Sequence, residues 1–170
     1  MLTYDLIVIG FGKAGKTLAA KMATQGKKVA LIERSKAMYG GTCINIACIP
    51  TKTLLVAAEK GLTFDQVMAE KNAVTSRLNS KNYAGVSGAG VDIIDGEAHF
   101  LSNKVIEIVA GDEKEELTAE TIVINTGAVS NVLPIPGLTE TKNVYDSTGI
   151  QNLKELPKRL GVLGGGNIGL

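Results

Sequence analysis

The sequence predicts an α/β fold in which a parallel sheet with helices is extended by an antiparallel β-meander. Three observations carry that expectation. Two short apolar runs rich in β-branched residues, "YDLIVI" at 4–9 and "KKVALIE" with a strand over 28–33, flank a segment of helical period, which is the order of a βαβ unit. A glycine-rich turn lies where the first run gives way to the helix. After about residue 90 the helical period is replaced by short strand-like runs broken by turn residues.

Residues 4–9 are apolar on both faces, as a buried parallel strand is, and Gly10 closes them. From Ala14 to Gln25, Leu18 and Met22 fall four apart with Ala19 and Ala23 beside them. Lys16 and Lys21 point elsewhere, and Gly26 stands at the C-terminal cap. "IACIPTKTLLVAAEKG" predicts a second helix that opens near Pro50, whose fixed φ suits a first turn, and closes at Gly61. Thr63 and Gln66 resemble a capping box. Val67, Met68, Val74 and Leu78 then support a third helix from Phe64, ending before the glycine-rich stretch 85–90.

From residue 91 onward, "VDIID", "EAHFL", "KVIEIVA" and "TIVIN" are separated by Gly96, Ser102-Asn103 and an acidic loop Gly111–Glu116. They read as strands joined partly as a meander. "VLPIPG" at 132–137 reads as a connection, 140–160 as a polar linker, and "RLGVLGGGNIGL" as the start of a new strand.

Composition narrows the function classes. The 170 residues carry 18 basic and 17 acidic side chains, a formal net charge of +1, so no electrostatic footprint points to nucleic acid or a membrane surface. Three Phe, four Tyr and no Trp give little material for stacking single-stranded bases. No apolar run reaches the length of a membrane span, and Asp5 stands where a signal peptide carries positive charge; both point to a cytoplasmic protein. Twenty glycines are about 12% of the chain against a usual share of about 7%.

Gly10, Gly12 and Gly15 form G-x-G-x-x-G directly after a predicted strand and at the opening of a predicted helix, and Glu33 ends the next strand. In that context Gly10 permits the tight turn, Gly12 admits a pyrophosphate to the backbone, and Gly15 lets helix and strand pack closely. Free amides at the helix start would hold phosphates, and Glu33 would accept hydrogen bonds from a ribose with a free 2′-hydroxyl. The competing reading is a glycine-rich turn without a ligand.

Cys43 and Cys48 lie five apart in "GGTCINIACIPTK". In a regular helix their Cα atoms would be about 8–9 Å apart, beyond the usual reach of a disulfide. Pairing therefore requires one irregular turn, for which Gly40-Gly41 and Pro50 are suited. A helix entrance there would depress a thiol pKa, with Lys52 adding positive charge. Two unconnected buried cysteines remain the alternative. Zinc is a weaker one, since its structural sites commonly take four ligands and the single histidine, His99, lies in a strand pattern.

Taken together, Gly10-Phe11-Gly12-Lys13-Ala14-Gly15 with Glu33, and Gly40-Gly41-Thr42-Cys43-Ile44-Asn45-Ile46-Ala47-Cys48-Ile49-Pro50-Thr51-Lys52, resemble the class I FAD-dependent pyridine nucleotide-disulfide oxidoreductases. That family includes dihydrolipoamide dehydrogenase, glutathione reductase and mercuric reductase. "GEAHF" at 96–100, "INTGAVSNVLPIPG" at 124–137 and "LGVLGGGNIG" at 160–169 look like later landmarks, so the likeness spans essentially the whole chain. "IGFGKAGKTLA" and "AMYGGTCINIACIPTK" resemble the branch linked to reactive-chlorine resistance.

The resemblance implies a Rossmann-like FAD-binding domain over 1–150. Residues 151–170 would be a linker and the first strand and phosphate loop of an NAD(P)-binding domain. It implies electron flow from NAD(P)H through FAD to a Cys43–Cys48 disulfide, then to a disulfide or other small-molecule acceptor. Cys43 would be the outer interchange thiol and Cys48 the inner one against the flavin. Gly10, Gly12, Lys13 and Gly15 would hold the pyrophosphate, Glu33 the adenosine ribose, and Thr42 a phosphate oxygen. Lys52 would sit near the isoalloxazine, Ala98 would touch adenine through its backbone, and Thr126-Gly127 would lie along the cofactor. Gly164, Gly166 and Gly169 would open the nicotinamide site.

Relatives are far longer and dimeric, so the resemblance implies an N-terminal piece of a larger homodimeric enzyme, inactive alone, with no nucleic-acid or membrane partner. The chain departs from the family at Ala47, which stands for a glycine. It also departs at Asn125, which stands for the commoner alanine, and at Lys13-Ala14, which stand for small residues. Two other readings remain: a nucleotide-binding module without catalysis, and a parent enzyme that reduces a metal ion or small oxidant.

Overall fold

The computed structural model describes residues 1–169. Six strands form one mixed sheet: β1 (Leu2–Ile9), β2 (Val29–Glu33), β3 (Asp92–Asp95), β4 (Glu97–Ser102), β5 (Val105–Ala110) and β6 (Glu113–Ile124). The sheet order is β3-β2-β1-β6-β5-β4. β3, β2, β1 and β6 run parallel, whereas β4, β5 and β6 form the antiparallel meander. The predicted α/β architecture is therefore present, and "VDIID" falls in its parallel part, beside β2. Four helices accompany the sheet: α1 (Lys13–Thr24), α2 (Thr42–Asn45), α3 (Cys48–Glu59) and α4 (Phe64–Gly88).

Alternation along β1 divides the core. Ile7 and Ile9 pack with Ile32, Ile106, Ile108 and Leu117, so the meander covers one face. Leu6 and Val8 pack on the other face with Phe11, Ala19 of α1, Tyr39 and Val86 of α4. Gly26 and Gly61 follow the ends of α1 and α3 with φ of +85° and +72°, the conformation a helix-ending glycine takes. Thr63 and Gln66 make the full capping box at the start of α4.

Four local expectations change. The buried face of α1 is Gly15, Lys16 and Ala19, and Leu18 is 39% exposed. The lysine is drawn inward by polar partners. α4 runs through Gly85 to Gly88, because nothing crowds those positions and the helical bonds simply continue. The acidic loop shrinks to a turn at Gly111-Asp112, and Glu113–Glu116 pair with β5; Gly111, at φ +64°, is suited to a tight hairpin turn. Residues 160–169 form no strand and pair with nothing in the sheet. Leu170, the last residue of the expected segment 151–170, lies outside the described residues.

Candidate active site

The glycine turn is built by contact with the end of β6. Gly10 has φ +104°, and its amide donates to the Ile32 carbonyl at 2.8 Å. The Asn125 side-chain amide donates to the Gly10 carbonyl at 3.0 Å. A Cβ at Gly12 would lie 2.8 Å from Asn125 Nδ2, and one at Gly15 would lie 2.5 Å from that atom and 2.7 Å from Val8 Cγ1. Gly15 thus serves helix–strand packing as the spacing predicts. Gly12 is required by Asn125 as well as by any ligand. Asn125, noted in the sequence only as a departure, is the clamp of the turn.

Helix α1 begins behind Gly12 with no side-chain cap and no acidic residue in its first turn. Its opening amides carry the positive end of a 12-residue helix, and Lys13 and Ala14 are exposed there. Glu33 reaches the turn from the end of β2. One of its oxygens accepts from the Phe11 amide at 3.0 Å and the other from the Ser35 amide at 3.1 Å. An uncapped helix start, a close-approach turn and a carboxylate on the adjacent strand fit a dinucleotide pyrophosphate and ribose.

The cysteine segment sits on this turn. Gly41 has φ +84° and ψ −174°, and a Cβ there would lie 2.7 Å from Gly12 Cα. Helix α2 stops at Asn45, Ile46 and Ala47 break the helical path, and α3 starts at Cys48. This is the irregular turn that the five-residue spacing demands. Both cysteines are exposed free thiols, and the Cys48 side chain is near enough to Cys43 to be the leading influence on its pKa.

The Cys48 side chain, followed by burial, raises the Cys43 pKa; the Cys48 backbone and Lys16 pull it the other way. The expected depression is therefore not found at Cys43. A neighbouring thiol stabilises the protonated form, and α2 has only four residues with which to build a dipole. The cation acting on Cys43 is Lys16 rather than Lys52, which lies exposed on α3.

Lys16 is 7% exposed and donates to the Gly40 carbonyl at 3.1 Å and to Asn82 of α4. Burial, followed by repulsion from Lys13, lowers its pKa. Asn79 of α4 donates to the Lys36 and Ala37 carbonyls at 3.1 Å and to Asn45 at 3.2 Å. Asn45 in turn donates to the Tyr39 and Gly41 carbonyls at 2.9 Å. A polar ridge on α4 thus supports the cysteine segment.

Of the other predicted residues, Thr42 is exposed as the first residue of α2, and Thr126-Gly127 follow the end of β6 beside the glycine turn, with Gly127 at φ +76°. Ala98 is half-buried in β4, packed against the meander side of the core, and His99 is exposed beside it. Gly164, Gly166 and Gly169 are exposed in irregular chain. Among the described residues no group of three or more metal-ligating side chains occurs, and no helix is long and apolar enough to cross a membrane.

The pyridine nucleotide-disulphide oxidoreductase family matches residues 4–170. The chain belongs to that family. It is 52% identical over its whole length to the probable pyridine nucleotide-disulfide oxidoreductase RclA of Escherichia coli K12, covering 39% of that protein. It is 36% identical to a mercuric reductase of Staphylococcus aureus, with 97% of this chain and 32% of that one aligned. A dihydrolipoyl dehydrogenase of the same species is 34% identical, with 97% and 38% aligned. The solved structure of a Cu(II) complex of the HOCl-induced flavoprotein disulfide reductase RclA from Escherichia coli superposes with a TM-score of 0.96 at 52% identity, covering 99% of this chain and 38% of that one. The chain thus spans about a third to two fifths of the length of these relatives.

Proposed function

We propose that these residues form the FAD-binding part of a longer flavin-dependent disulfide reductase, in which electrons from NAD(P)H reach the Cys43–Cys48 pair and pass to an acceptor. The observation that carries this reading is the stacking of the cysteine segment on the glycine turn at Gly41 and Gly12, with Cys43 and Cys48 on either side of the broken helix and Cys48 the leading influence on the Cys43 thiol. FAD, when bound, supplies two-electron transfer between a nicotinamide and sulfur.

The chain's own residues do the rest. The α1 amides with Gly10, Gly12, Lys13 and Gly15 hold the pyrophosphate, and Glu33 holds the ribose while fixing the turn through the Phe11 amide. Thr42, Lys52, Ala98 and Thr126-Gly127 line the remainder. Gly41 brings α2 and the Cys43 thiol against the turn. Cys43 is the interchange thiol and Cys48 the one facing the ring. Two electrons and two protons open the disulfide, and return of both to an acceptor closes it.

The domain boundary lies near residue 150, with Gly164, Gly166 and Gly169 belonging to the nicotinamide site. The longer enzyme works as a cytoplasmic homodimer, and the 170 residues alone do not turn over.

The test is two-electron reduction of the FAD-loaded full-length protein with thiol counting. Two thiols appear together with a long-wavelength charge-transfer absorbance that Cys48→Ser abolishes and Cys43→Ser retains. The reverse pattern exchanges the roles, and unchanged thiols leave only a nucleotide-binding module.

The structure of RclA as a Cu(II) complex favours a second acceptor class, a metal ion. In that case one closing of the disulfide reduces two Cu(II) to Cu(I). A cuprous chelator then develops colour only while both cysteines are present.

A further inference from the structure

Lys71 of α4 is 4% exposed, and neither carboxylate of its own helix, Asp65 or Glu70, forms a salt bridge with it, Glu70 pairing with Lys60. Its ammonium donates instead to chain far away in sequence, the Gln151 carbonyl at 2.7 Å and Asn152 Oδ1 at 3.2 Å. These residues form a short 3-10 turn, Ile150–Asn152. Asp146 prepares that turn by accepting from the Gly149 amide at 2.7 Å and the Thr148 amide at 3.1 Å. The expected linker is therefore anchored.

The anchored turn aims Gln151 at the break between the cysteine helices. Its side-chain amide, with two protons, is shared among three oxygens: the Ser147 carbonyl at 3.0 Å, the Thr51 hydroxyl at 3.2 Å and the Ile46 carbonyl at 3.4 Å. The Thr51 hydroxyl in turn donates a hydrogen bond to the Ala47 carbonyl at 2.7 Å. Ile46 and Ala47 are the two residues separating α2 from α3, so Gln151 reaches both carbonyls of the break, one directly and one through Thr51. In a continuous helix the Ile46 carbonyl would be taken by the amide four residues on. That residue is Pro50, which has no N–H. Gln151 supplies the missing donor.

We propose that Gln151, held by Lys71, is a positioning residue for the Cys43–Cys48 pair: it fixes the angle between α2 and α3 and so the approach of the two sulfurs. The inference rests on the redox role assigned to that pair above. Loosening the break leaves both thiols in place but lowers their effective concentration for each other, which favours the open dithiol over the closed disulfide. The exchange balances as two electrons and two protons between the pair and dithiothreitol, whose own thiols close to a disulfide.

The test equilibrates the full chain in mixtures of reduced and oxidised dithiothreitol and reads the pair by alkylation and mass. Gln151→Leu and the equally long Gln151→Glu each shift the equilibrium about tenfold toward the dithiol, about 30 mV for a two-electron couple. Lys71→Met shifts it the same way, and the double variant Lys71→Met/Gln151→Leu shifts it no further than the larger single change, because both act through one contact. Thr63→Ala, which removes the α4 cap far from the break, lowers thermal stability and leaves the redox equilibrium unchanged. Wild-type redox behaviour in the Gln151 variants, or an equal shift in Thr63→Ala, overturns the positioning role. Failure of the wild-type pair to close at all overturns the redox reading and this inference with it.

Discussion

Gly41→Ala probes the contact on which the site depends. At φ +84° and ψ −174° the residue occupies backbone space that side-chain-bearing residues almost never adopt, a cost of about 1–3 kcal/mol. The added methyl also meets Gly12 Cα at 2.7 Å, with Gly12 N and C at 3.5 Å. These are main-chain atoms of a turn held from the far side by Asn125, so no rotamer change relieves the overlap, and overpacking adds about 1–3 kcal/mol. A central value of about 4 kcal/mol corresponds to a fall in Tm of about 8–16 °C for a chain of this size.

Gly26→Ala is the reference, since φ is +85° and nothing lies within 4 Å. It carries only the backbone cost of about 1–2 kcal/mol. Thermal unfolding of the full chain, followed by far-ultraviolet circular dichroism, measures both. Equal losses of Tm in the two variants would refute the claim that the cysteine segment bears on the glycine turn. A loss in Gly41→Ala at least twice that of Gly26→Ala, accompanied by weaker FAD retention, is the expected result.

Asn125→Ala should cost about 1 kcal/mol through its bond to the Gly10 carbonyl. It should also soften Gly12→Ala, whose nearest obstacle is Asn125 Nδ2, so a double-mutant cycle in urea should show coupling of about 1–2 kcal/mol. Additive effects would remove Asn125 as the clamp. Glu33→Ala strips the Phe11 amide of its partner and should lower stability by about 1–3 kcal/mol, with FAD affinity by fluorescence falling in parallel.

The Cys43 pKa is raised, so its proton is retained until higher pH. Its alkylation rate in the reduced protein should therefore stay low near neutrality and climb only above the ordinary thiol range. Cys48→Ala removes the leading cause and should move the midpoint down. An unchanged midpoint in that variant would contradict the cause assigned here.

The strands, the glycine turn and the broken helix between the cysteines were legible because each rests on local chemistry. β-branched runs, positive φ at Gly10 and Gly41, and a spacing that no regular helix closes are all written within a few residues of where they act. The supports were not. In α4 the residues Lys71, Asn79 and Asn82 recur at helical spacing, yet a polar stripe reads the same whether it faces solvent or carbonyl groups of another segment. The helical pattern points Lys16 away from the apolar positions and reveals no burial for the same reason, since its partners Gly40 and Asn82 lie 24 and 66 residues away. Gln151 faces a break 105 residues earlier, and no pattern within either segment announces the other. The acidic charges of Glu113, Glu115 and Glu116 concealed a strand because the first four residues of β6 are exposed on both faces, where charge costs the pairing nothing.

Strand β6 has an implication for the order in which the molecule assembles. Its last pair is Ile9 with Ile124, and the residue that grips the glycine turn comes immediately afterward, 115 positions from the carbonyl it holds. A nascent chain emerging from the ribosome can form β1, α1 and β2 early, but the turn between them lacks its latch until this strand is inserted. On the proposed FAD-binding role, cofactor capture during synthesis would then wait on the arrival of β6, the long-range step of the topology. A chain arrested before Asn125 would hold the complete glycine signature and still lack the latch on the turn that the proposed nucleotide site needs.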